Sequence, residues 1–111
     1  MNTPLSLALK LADEIGSFPL GRCGPSDDPD QQYAYSRAFY DLSMRFVSAV
    51  KRIGDPELSE LVSNIDLEFS YHIADAHHLK ANLQTTVDTL NELSSNPNYG
   101  KDIAISSVFL N

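Results

Sequence analysis

Glu68, His72, Asp75 and His78 are the residues of this chain whose types and spacing come nearest to a reactive set. On a helix that starts early enough, Glu68, His72 and Asp75 fall at i, i+4 and i+7 on one face, and His78 lies three residues beyond Asp75. Imidazole nitrogens and carboxylate oxygens one turn apart are ligands for a transition metal. The set is incomplete. Di-metal carboxylate bundles take Glu-x-x-His from each of two helices and further Glu from two others, and here Asp75-Ala76-His77-His78 is a single approximate copy. His-Glu-x-x-His does not occur. The expectation is therefore no metal site and no cofactor, with these side chains forming a polar patch or bonding at a helix start.

Nucleophilic chemistry has less support. Cys23 lies between Arg22 and Gly24 in a loop. The neighbouring cation is the one feature that would lower its pKa, and no pattern places a base beside it. No serine sits in Gly-x-Ser-x-Gly, and neither glycine-rich phosphate loop is present. Arg37, Arg45 and Arg52 all lack the histidine, about one turn further on, that a helical HEPN-type ribonuclease would need. With no coherent catalytic set, the chain is expected not to be an enzyme.

Composition narrows the remaining classes. The chain has 111 residues, 42% of them hydrophobic and 21% charged, enough for one folded domain over 1–111 and no second. That domain is either the whole protein or the helical N-terminal part of a longer one. Lys and Arg number 8 against 15 Asp and Glu, a net charge of −7, which argues against direct nucleic-acid binding, since phosphate contacts need a dense basic face. One cysteine cannot form an intrachain disulfide. Met1-Asn2-Thr3-Pro4 has no basic start, and no apolar run approaches the ~20 residues that cross a bilayer. The expectation is a cytoplasmic protein with no membrane contact.

The elements that would position a site are punctuated by proline and glycine. Thr3-Pro4, Asp28-Pro29 and Asp55-Pro56 each pair a capping residue with proline at the first helical position, where its missing N–H costs nothing. The first helix is predicted over 4–15, with Leu5, Ala8, Leu9, Ala12 and Ile15 at helical spacing and Gly16 as its cap. A loop over 16–28 carries Phe18 and Leu20. The second helix runs from Pro29 to Ile53, with Gln31 placed as a capping-box partner and Gly54 as the stop. Tyr35, Phe39, Leu42, Phe46, Ala49 and Ile53 alternate in steps of four and three, the seam of a packed bundle. A short third helix is predicted over 56–66 and a long fourth over 70–94; 65–69 reads equally as loop, turn or helix. Ser94 to Gly100 breaks the chain, and 101–111 is read as a short C-terminal helix with a strand as the alternative. The predicted fold is all-α, a compact bundle of four principal helices, two long and two shorter.

Two features point to a protein partner. Between Arg52 and Lys80 the chain holds Asp55, Glu57, Glu60, Asp66, Glu68 and Asp75 and no Lys or Arg. Helix electrostatics explain Asp55 and Glu57, and Arg45, Lys51 and Arg52 gathered toward the end of the second helix; they do not explain Glu60, Asp66 or Glu68. Tyr33 and Tyr40 form an i, i+7 pair that suits an interface or a wide core wall beneath the 16–28 loop. The apolar run Val108-Phe109-Leu110 suggests a further contact. The expected function is a non-enzymatic protein–protein interaction module (adaptor, regulatory subunit or helical domain), binding a protein partner or its own copies through Tyr33, Tyr40, Glu60, Asp66, Glu68 and Phe109. The alternatives are an acidic inhibitor or immunity-type protein covering a basic active site or nucleic-acid-binding surface, and a metal-binding protein or enzyme centred on the histidines.

Overall fold

The computed structural model describes residues 3–99. Its order is α1 (Pro4–Ser17), a 3-10 turn (Leu20–Arg22), α2 (Pro29–Ile53), α3 (Pro56–Ser63) and α4 (Ile73–Ser94). The fold is the all-α four-helix bundle that the periodicity predicts. All three capping residues before proline bond as expected: Thr3, Asp28 and Asp55 each accept a backbone N–H from the first turn. Gly54 ends α2 at φ 82°, the left-handed conformation that glycine adopts without strain. The predicted short helix or strand over 101–111 lies outside the described residues. Among the described residues no helix is long and apolar enough to cross a membrane.

The boundaries differ where a side chain offers the backbone another partner. The capping box forms at Thr3 with Ser6 rather than at Asp28 with Gln31; the Asp28 carboxylate takes the Asp30 N–H instead, at 2.8 Å. Helix α1 continues through Gly16 to Ser17, whose hydroxyl bonds back to the Asp13 carbonyl at 2.9 Å, so Gly16 caps nothing. Helix α3 stops at Ser63, three residues earlier than the spacing of apolar residues implies. Beyond it, Asp66 accepts the Glu68 N–H at 3.1 Å, an Asx turn that competes with helix. Helix α4 starts at Ile73, and the segment 64–72 is irregular.

The late start of α4 is set by α2. Its cap residue His72 makes no side-chain capping bond. The Ile73 N–H is taken by Oε1 of Gln32 at 3.3 Å, across 41 positions of sequence. Nε2 of the same Gln32 donates to the carbonyls of Pro25 at 3.0 Å and Asp27 at 2.8 Å. One buried amide thus joins α2, the 16–28 loop and α4. Ser36, one turn along, donates its hydroxyl to the Tyr71 carbonyl at 3.1 Å and anchors the segment before α4.

The core lies between α2 and its neighbours, and α1–α2 is the most extensive pairing. Phe39, Phe46, Leu42, Val50 and Ile53 of α2 meet Ala8, Leu11 and Ile15 of α1, Leu58 and Val62 of α3, and Leu79, Leu83 and Leu90 of α4. Leu11, absent from the predicted stripe, is buried, whereas Leu9 of that stripe is half-buried. Phe18 packs edge-on against Phe39, with ring centroids 5.3 Å apart, and tacks down the loop after α1.

The segment that follows α4 is tied to the start of α3 through Asp55. Its Oδ1 caps Leu58 at 3.1 Å and its Oδ2 accepts the Tyr99 hydroxyl at 2.6 Å. Burial, then the Asp55 hydrogen bond and the charges of Asp55 and Glu57, push the Tyr99 phenol well above its ordinary value. A folded-state pKa above the unfolded one means that the neutral phenol stabilises the fold. That contribution is complete below about pH 10, the ordinary tyrosine value, and is lost as pH rises above it. Alkaline unfolding followed by circular dichroism is expected to steepen above about pH 10 in the wild type, and to lose that steepening in Tyr99→Phe.

Candidate functional site

Helix α2, the start of α4 and the segment 64–72 enclose a cleft of about 300 Å³. Its floor is apolar: Phe39 from α2, with Ala76 and Leu79 from α4. Tyr40 and Phe69 form one wall, their rings edge-to-face with centroids 5.4 Å apart. Asp66, Glu68 and Asp75 bring three carboxylates to the same cleft, with His78 among its lining residues and no Lys or Arg.

Local hydrogen bonds hold the acidic segment in place. Asp66 turns the chain at Glu68, and Ser70 receives the His72 N–H at 3.3 Å while donating its hydroxyl to the Asp75 carboxylate. Asp75 also stands in the first turn of α4, where a negative charge complements the helix dipole. Phe69 pins the middle of the segment. It packs edge-on against Tyr33 as well as Tyr40, at 5.6 Å, and the Arg37 guanidinium lies over its ring at 5.1 Å and over Tyr40 at 5.6 Å. Arg37 is also ion-paired with Asp41 at 3.4 Å. The aromatic pair therefore already accommodates one cation, supplied by the chain itself, beside a wall of carboxylates.

The residues proposed from sequence divide clearly. Tyr40, Asp66 and Glu68 come together in the cleft, and Tyr33, half exposed at 50%, borders it through Phe69. Both tyrosines pack against the 64–72 segment and not beneath the 16–28 loop, whose Phe18 meets Tyr35 and Phe39 instead. Glu60 is exposed on α3 and does not line the cleft. Phe109 lies outside the described residues. The sequence alone does not single out Phe69 or Ser36; the one sequence signal for Phe69 is its place next to Glu68 in the stretch between α3 and α4.

The histidine-centred set does not assemble as a helical face. Glu68 and His72 precede the first residue of α4, so the i, i+4, i+7 arrangement with Asp75 does not form. Among the described residues, no group of three or more His, Cys, Asp or Glu side chains is arranged to hold a metal ion. Cys23 is buried, at 2% exposure. Burial, then the charge and hydrogen bond of Asp27, push its thiol up, the opposite of what Arg22 suggested. The protonated thiol is a poor nucleophile.

No protein-family profile matches the chain, and no curated protein or solved structure matches it at a significant level.

Proposed function

We propose that this chain is a non-enzymatic protein-interaction module whose acidic cleft receives a basic segment of a partner protein. The observation that carries the reading is the composition of that cleft: three carboxylates and the aromatic rings of Phe39, Tyr40 and Phe69 line it, with no Lys or Arg among them. Carboxylates in a concave surface focus the field and raise the local concentration of cations. Tyr40 and Phe69 already hold Arg37 by cation–π contact, so an incoming arginine or lysine head group is drawn by the carboxylates while its aliphatic stem packs on the apolar floor. At about 300 Å³ the cleft is at the small end of ligand sites. It has room for one or two long side chains reaching in from a partner's surface.

A regulatory adaptor and an acidic inhibitor would use the same geometry. The gathering of Asp66, Glu68 and Asp75 on one side favours the second use when the partner's basic residues are themselves an active site. The two are separated by whether binding abolishes the partner's activity.

The reading is tested by titrating the isotope-labelled chain with an acetylated Gly-Arg-Arg-Gly peptide and following backbone amide shifts. The expected result is a saturable response confined to 66–70 and 75–79 that weakens as salt shortens the screening length toward ~8 Å. Equal responses at the exposed acids Asp13 and Glu14 of α1 would show general charge attraction and contradict the cleft.

A further inference from the structure

A second groove runs between α1 and α2; on α2 it begins one turn beyond Tyr40 of the acidic cleft. It has a volume of about 290 Å³ and is lined by Leu7, Leu11, Met44 and Ala49, with Arg45 and Arg52 as its charged residues. Met44 is 40% exposed, one of three large apolar side chains so exposed among the described residues; Tyr33 and Tyr71 are the others. The groove thus offers solvent the apolar side chain of Met44 and part of Leu7, above the buried Leu11 and Ala49, and carries only positive charge, on a chain whose net charge is −7.

The arginines are not fully explained by their own helix. Arg52 stands in the last turn of α2, where a cation complements the dipole. Arg45 lies two turns further in, beyond the reach of that effect. Among the described residues, neither arginine makes an ion pair; the pair within 4 Å joins Arg37 to Asp41. Seven residues separate Arg45 from Arg52, so their Cα atoms rise about 10.5 Å apart along one side of the helix.

We infer that this groove docks an acidic amphipathic helix of a partner protein. A helix laid between two packed helices presents apolar anchors at i, i+3, i+4 and i+7. Met44 and Leu7 are the accessible apolar contacts for such anchors, with Leu11 and Ala49 closing the groove beneath them. Carboxylates seven residues apart on the incoming helix repeat the separation of Arg45 and Arg52 and pair with both. Guanidinium groups favour such contacts because their planar donors match carboxylate oxygens two at a time. The inference is independent of the acidic cleft, which selects the opposite charge.

The test is selection of random 16-residue display peptides on the whole chain. The inference expects the recovered sequences to be amphipathic, with Asp or Glu flanking large apolar residues. It also expects their affinity to fall at least tenfold for Arg45→Glu/Arg52→Glu. Both arginines are exposed, so the double variant should keep its helical circular dichroism; if it does not, Met44→Glu supplies the same loss from the apolar bed. Recovery of no peptide, of basic peptides, or of peptides that bind the variants as tightly as the wild type overturns the inference. Basic peptides would support the acidic cleft instead. A dimer seen by sedimentation, and lost in the double arginine variant, would assign the groove to a second copy of the chain and likewise overturn it.

Discussion

Phe46→Ala is expected to destabilise the fold by about 3–5 kcal/mol. Phe46 is fully buried at 0% exposure and stands in the C-terminal half of α2, the helix that α1, α3 and α4 all pack against. Truncation removes the ring's transfer free energy and leaves a cavity that rigid helices on several sides cannot close. A whole domain's stability is commonly about 5–15 kcal/mol, so the loss is a large fraction of the total. Urea unfolding should show a lower midpoint with an unchanged slope. A cost below about 1 kcal/mol would mean that this stripe of α2 is not the centre of the core.

Gln32→Leu is expected to cost about 2–3 kcal/mol for a different reason. The substitution is apolar and the site is nearly buried, so hydrophobicity alone would tolerate it. It leaves the buried Ile73 N–H without its acceptor and the Pro25 and Asp27 carbonyls without their donor. An orphaned buried polar group costs about 1–3 kcal/mol, and the two carbonyls are near enough to solvent to recover part of theirs from water. Gln32→Glu separates the contributions. It keeps an oxygen for Ile73 but turns a carboxylate oxygen toward the Pro25 and Asp27 carbonyls at a buried position, so its cost at neutral pH is expected to match or exceed that of Leu. Hydrogen exchange at the Ile73 amide reports the Ile73 contact directly: it should accelerate by more than the loss of global stability in the Leu variant and by no more than that loss in Glu.

The contrast between these residues explains what was legible in sequence. Phe39, Leu42 and Phe46 announce a buried seam because their spacing alone puts them on one helical face. Thr3, Asp28 and Asp55 announce helix starts because a cap followed by proline is a local signal. The start of α4 is not local. Its first N–H is satisfied by Gln32, whose glutamine side chain reads as a polar residue in the first turns of α2 and carries no sign of a partner 41 positions away. For the same reason the predicted helix over 70–94 begins three residues before α4 does, and the early start that would put Glu68 and His72 on one face with Asp75 does not occur. The acidic interval was visible as a run of charge. Its shape was not, because Tyr33 and Tyr40 find their partner in Phe69, and that pairing depends on the path of the 64–72 segment. Glu60 belongs to the same interval in sequence and stands apart in space.

That separation supplies the most direct measurement of the central claim, that the cleft itself and not the chain's overall charge selects a basic partner. Asp66→Asn/Glu68→Gln and Glu57→Gln/Glu60→Gln remove the same two charges, one pair from the cleft and one from exposed positions on α3. Binding of a fluorescent arginine-rich peptide to each at fixed ionic strength compares them on equal net charge. The account predicts at least a tenfold loss of affinity, about 1.4 kcal/mol, for the cleft pair and less than a twofold change for the α3 pair. Equal losses in the two variants would show that the chain attracts cations by net charge alone and would contradict the cleft as the site of recognition.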